Sequence, residues 1–120
     1  MTITRIHTAH RLSKIVISGT TAYLAGQVAG DTLDGDIRAQ TAEVLAKIDA
    51  LLADAGTDKS RMLQAQIFLK ELSDAPGMNE VWDAWVAPQS SPARATTQAH
   101  LNNPRFLIEV LVIAEVDARA

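Results

Sequence analysis

A single carboxylate inside an apolar run constrains this chain more than any other feature. Phe106-Leu107-Ile108-Glu109-Val110-Leu111-Val112-Ile113-Ala114 is short, β-branched and uncharged except at Glu109. Runs of this kind are buried strands. A carboxylate placed there has to be paired, hydrogen-bonded or protonated, because losing water without compensation is costly. Arg94, in Ser91-Pro92-Ala93-Arg94-Ala95-Thr96, is a candidate partner. An arginine near a buried glutamate can grip a carboxylate-bearing small molecule with its fork of donors. The other reading is an edge strand with Glu109 in solvent and Arg94 as an ordinary surface charge, and the pattern leaves both open.

At 120 residues the chain is expected to form one domain, residues 1–120, large enough for a real core. It has no cysteine, which excludes disulfides, thiolate metal ligands and a cysteine nucleophile. No apolar stretch reaches membrane-spanning length and no signal-peptide pattern opens the chain, so a cytoplasmic protein with no membrane partner is expected. The net charge of −3, with scattered basic residues and only five aromatics, argues against a nucleic-acid partner.

The element signals run in a clear order. A strand is predicted over Thr2 to His7, then two more at Lys14–Ile17 and Ala22–Ala25 around the turn Ser18-Gly19-Thr20-Thr21. Ile37, Thr41, Val44, Leu45, Ile48, Leu51, Leu52 and Ala55 fall at three-and-four spacing, so a helix follows. Asp36 suits its N-cap, Gly56 its left-handed stop, and Glu43–Lys47 a surface pair one turn apart. Arg61–Glu71 alternates as a half-buried strand with Leu63, Ala65, Ile67 and Leu69 inward. A second helix is predicted near Pro76–Val86, and two strands near Arg94–Leu101 and Phe106–Val116 close the chain. The layout is α+β, a mixed sheet with two helices on one face.

Alternation puts Arg94, Thr96, Gln98 and His100 on one strand face and Ala95, Thr97, Ala99 and Leu101 on the other. The small face is expected to pack under the helices and the polar face to look outward, either as a solvated surface or as a cleft wall anchored by Arg94. Trp82 and Trp85 read as packing residues. Gly26, at the end of Tyr23-Leu24-Ala25-Gly26, reads as a bend or as a point of close backbone approach to a ligand. His7, His10 and His100 carry no metal-ligand spacing, and no serine sits in a nucleophile elbow, so neither a metal site nor a catalytic triad is expected.

Leu24-Ala25-Gly26-Gln27, Gln40-Thr41 with Val44-Leu45, Met78-Asn79, Pro92-Ala93-Arg94 and Ile108-Glu109-Val110 occur in the order and spacing of the Rid proteins. These are the reactive-intermediate (enamine/imine) deaminases, also called the YjgF or endoribonuclease L-PSP family. The chain resembles them from about Leu12 to Ala114. The resemblance implies a chorismate-mutase-like fold and a homotrimer with a central barrel and three clefts between subunits. It implies a hydrolase that converts 2-imino acids of the 2-iminopropanoate and 2-iminobutanoate type to 2-keto acids and ammonia, with no metal and no cofactor. Arg94 then corresponds to the arginine that binds the substrate carboxylate, Glu109 to the glutamate near the attacking water, Gly26 to a glycine lining the cleft, and Asn79 to a structural asparagine.

Three positions depart from that pattern. Arg11-Leu12-Ser13 stands where deaminating members carry Pro-Tyr-Ser, so Leu12 replaces a tyrosine of the cleft. Thr96 stands where a cysteine is common, and Ala25 where a serine is usual. The substrate-binding set is therefore Arg94, Gly26, Leu12 and Thr96. The alternative function is a trimeric binding or regulatory protein that holds a carboxylate metabolite without turnover. Ribonuclease activity, a third reading, is opposed by the acidic balance.

Overall fold

Ile3–Thr8 (β1), Ser13–Ser18 (β2) and Thr21–Leu24 (β3) form an antiparallel meander in the computed structural model, which describes residues 2–118. Met1, Arg119 and Ala120 of the predicted domain lie outside the described residues. Gly19, at φ +61°, takes the left-handed conformation that a tight turn between β2 and β3 needs.

Ile37–Asp54 (α1) follows with the predicted caps: the Asp36 carboxylate accepts from the Ala39 N–H at 3.0 Å, and Gly56 has φ +82°. A short 3₁₀ turn at Lys59–Arg61 leads into Met62–Leu69 (β4). Ala75–Trp85 (α2), Ala93–Gln98 (β5) and Ile108–Glu115 (β6) complete the chain. The strands make one six-stranded mixed sheet in the order β1-β2-β3-β6-β4-β5, in which only β4 and β5 run parallel. Both helices cover one face. Ile15, Ile17, Leu24, Ile67, Leu69, Val110 and Val112 meet Val44, Ile48, Leu52, Met78 and Trp82 in a continuous core.

Two sequence expectations change. Leu63 does not point inward: a register shift between Met62 and Gln64 re-phases the alternation, so Met62 is buried and Leu63 is half exposed. The predicted faces of β5 are also reversed. Arg94 aligns with Ala65 and Val112, both buried under the helices, so Arg94 and Thr96 share the helix-covered face. Ala95 and Thr97 lie on the opposite, open face. Burial of β5 is poor because it is an edge strand, so its apolar residues are not drawn under the helices.

The open face is uncovered within one protomer. Register places Val16, Tyr23, Phe68, Leu111 and Ile113 on it, and Tyr23 is 48% exposed. Among the described residues, no helix is long and apolar enough to cross a membrane.

Candidate functional site

The sequence-predicted residues fall into two groups. Leu12, Gly26 and Glu109 share one end of the sheet. Leu12 lies just before β2 and is 54% exposed; Lys14, two residues on, receives the Ala25 N–H at 2.9 Å, which brings this turn toward Gly26. Gln27 then bridges to β6, its N–H donating to the Val110 carbonyl at 2.8 Å and its carbonyl accepting from the Val110 N–H at 3.1 Å.

This bridge sets Gly26 directly against Glu109. A Cβ at position 26 would lie 2.2 Å from Glu109 Oε2 and 2.9 Å from its Cδ. Glycine at this position leaves room for the Glu109 side chain, a close approach within the protein that neither sequence reading named. Glu109 is half-buried on the open face, opposite Phe68 of β4. Among the described residues no donor hydrogen-bonds its carboxylate, which leaves both oxygens available to a ligand or water.

Arg94 and Thr96 form the second group on β5. Arg94 is exposed, yet held: its guanidinium donates to Asn79 Oδ1 at 2.9 Å, touches Met78 Sδ at 4.0 Å and lies 5.2 Å from the centre of the Trp82 ring. All three partners are neutral. Arg38, Arg61 and Arg105 differ, because each is paired with a carboxylate. Among the described residues no carboxylate neutralises Arg94.

The expected pairing of Arg94 with Glu109 does not occur inside one protomer. They occupy opposite faces of the sheet, with β4 between their strands. Two strand spacings and three residues of offset separate them by roughly 10 Å across and 10 Å along the sheet. Trp82 and Phe68 were missed as neighbours of the two groups. The i, i+3 spacing of Asn79 and Trp82 on α2 was a usable signal, since it places both side chains over one spot. Phe68 gives one too: it is the apolar residue among Gln64, Gln66 and Lys70 at the alternate positions of its strand.

Glu43 and Lys47 form the ion pair that their spacing suggested, at 3.3 Å, and both also reach the loop before α1. The Glu43 carboxylate accepts from the backbone N–H groups of Gly30 (2.8 Å), Asp31 (3.1 Å) and Thr32 (2.9 Å) and from the Thr32 hydroxyl (2.6 Å). The Thr32 hydroxyl, joined by those backbone donors, holds its carboxyl far below the usual glutamate range against the opposing effect of burial. Lys47 donates to the Val28 carbonyl at 2.7 Å and stays 3.3 Å from Glu43. Among the described residues no group of three or more metal-ligating side chains converges.

The family model described as endoribonuclease L-PSP matches residues 2–116. A RutC family protein from Haemophilus influenzae is 46% identical over 114 residues, covering 95% of this chain and 98% of that protein. A 3-aminoacrylate deaminase RutC from Acinetobacter baylyi is 37% identical over 82 residues, covering 68% of this chain and 64% of that protein. The crystal structure of a YjgF family member from Neisseria meningitidis superimposes with a TM-score of 0.90 at 40% identity, covering 100% of this chain and 98% of that one. A family model spanning nearly the whole chain, and relatives of matching length and fold, give one conclusion: the chain belongs to the Rid (YjgF, endoribonuclease L-PSP) family.

Proposed function

We propose that the protein is a homotrimeric hydrolase that deaminates small 2-imino acids at clefts between subunits, with Arg94 of one protomer facing Glu109 of the next. The observation that carries this reading is the state of Arg94. Its partners are an amide, a thioether and an aromatic face, which orient the guanidinium and leave its charge uncompensated. A carboxylate-bearing substrate supplies that compensation through a bidentate contact worth roughly 1.5–3 kcal/mol.

Assembly supports the same reading. The open face carries apolar side chains that a neighbouring subunit would cover, and β1 and β5 have free edges. A cleft between protomers is also the way to bring together two groups that one chain keeps on opposite faces.

The chemistry asks little of the protein beyond orientation. The imine carbon is electrophilic. Glu109 takes a proton from water as the water oxygen bonds to that carbon, and the C=N electron pair moves to nitrogen, which takes that proton from Glu109. In the resulting carbinolamine Glu109 takes the hydroxyl proton as the C=O bond forms and passes it to nitrogen as the C–N bond breaks and ammonia leaves. One water is consumed and one 2-oxo acid and one ammonia are released. Positioning of water and carbon by Glu109 and Arg94 supplies the rate. The relative named 3-aminoacrylate deaminase supports the substrate class, since aminoacrylate is an enamine bearing a carboxylate. The paired arginines and net charge of −3 favour such a metabolite over RNA.

The test is ammonia release from imino acids generated in situ by an amino-acid oxidase. Arg94→Ala is expected to lower kcat/KM about 10- to 100-fold with assembly intact. A parental rate in that variant refutes the proposal. Binding without turnover is the second reading, favoured by Leu12, which places an alkyl group where a hydroxyl would help handle protons. A melting-temperature rise with 2-oxo acids that Arg94→Ala abolishes, in a parent that releases no ammonia, selects it.

A further inference from the structure

We propose that α1 acts as a jig for the candidate site, with Gln40, Glu43 and Lys47 as positioning residues that hold Gly26 against Glu109. This rests on the reading that Glu109 works at the reacting centre. The three side chains lie at i, i+3 and i+7, so they form one stripe along the helix. That stripe reaches both sides of the contact.

On the Gly26 side, residues 25–36 connect β3 to α1 with no strand or helix of their own. Glu43 takes four donors from Gly30, Asp31 and Thr32, and Lys47 holds the Val28 carbonyl. On the Glu109 side, the fully buried Gln40 accepts from the Leu107 N–H at 2.9 Å and donates to the Arg105 carbonyl at 2.9 Å. The Gln27–Val110 bridge joins the two halves. Gly30 and Asp31 are exposed, so water could satisfy their N–H groups without Glu43. What the carboxylate adds is a fixed loop. The consequence falls on Glu109, whose carboxylate has no hydrogen-bonding donor among the described residues and is located by its fit against the Gly26 backbone.

The experiment uses the full-length assembled protein carrying Glu43→Gln or Lys47→Met. Each keeps side-chain volume and removes a loop contact. Amide hydrogen exchange at residues 28–32 is expected to accelerate at least tenfold. kcat is expected to fall about 10- to 100-fold, with KM within about twofold because Arg94 is untouched. The Glu109 side-chain carboxyl ¹³C resonance is expected to shift and broaden. Parental kcat, or a change in KM alone, overturns the proposal. If the parent releases no ammonia, the function above is wrong, and the ¹³C signal still decides this inference: an unchanged Glu109 resonance in both variants overturns it, a displaced one sustains it. Two variants acting on different loop carbonyls and amides separate loss of the jig from failure of one variant to fold.

Discussion

Replacing Gly26 with alanine should separate site from fold. The added Cβ would sit 2.2 Å from Glu109 Oε2, 2.9 Å from Cδ and 3.1 Å from Cγ. Ordinary carbon contacts begin near 3.5 Å, so the carboxylate has to retreat by about 1.3 Å (3.5 less 2.2). The cost in stability is small for three reasons. The positive-φ glycines are Gly19 and Gly56, so alanine at 26 meets no left-handed backbone. The obstructing atoms are the end of a half-buried, flexible side chain, and moving it off its preferred rotamer costs about 0.5–1.5 kcal/mol. The unfolded chain loses freedom, which returns about 0.4–1 kcal/mol. Net stability should change by less than about 1 kcal/mol in urea unfolding. The rate should not be spared, because a displacement of this size at a reacting group costs about 100-fold. Parental ammonia release from Gly26→Ala would refute the placement of Glu109 at the reacting centre. A loss of more than about 3 kcal/mol would show that the contact is structural.

Gly77→Ala should behave in the opposite way. Its Cβ would meet Ile37 Cγ2 at 2.8 Å in the α1–α2 contact, so overpacking should cost about 1–3 kcal/mol in urea unfolding while activity per folded molecule is kept. Arg94→Lys keeps the charge and loses the fork, and kcat/KM should fall about tenfold in the ammonia assay. Glu43 makes stability depend on acid. Its folded pKa lies far below the unfolded value of about 4.3, so its contribution is fully present above that pH and is lost progressively as pH falls from there toward the folded pKa. Unfolding free energy should therefore decline below about pH 5, and Glu43→Gln should flatten that slope.

The elements of this fold were legible because local rules act alone on them. Asp36 and Gly56 bounded α1, Gly19 turned β2 onto β3, and the apolar spacing of Val44, Leu45, Ile48 and Leu52 found the core. Leu63 failed because a bulge re-phases a strand with no local signature. The faces of β5 failed because alternation says which residues share a side and not which side the helices take. Arg94 and Glu109 were singled out by chemistry, but their separation depends on the strand order β6-β4-β5 and their opposite faces on the register of each with β4, neither of which the spacing between them encodes. The Glu43–Lys47 pair was legible from its spacing, but its contacts to the loop were not, because those partners are backbone atoms and backbone leaves no mark on composition.

Subunit mixing tests the shared cleft most directly. Arg94→Ala and Glu109→Gln proteins, each expected to keep at most about a tenth of parental activity alone, are unfolded together, refolded as mixed assemblies and assayed for ammonia release. If each site takes its guanidinium from one protomer and its carboxylate from the next, random mixing restores about a quarter of parental activity. If a single chain supplied both groups, every site would still lack one of them and the mixture would show no more than the average activity of the two variants, which would contradict the account.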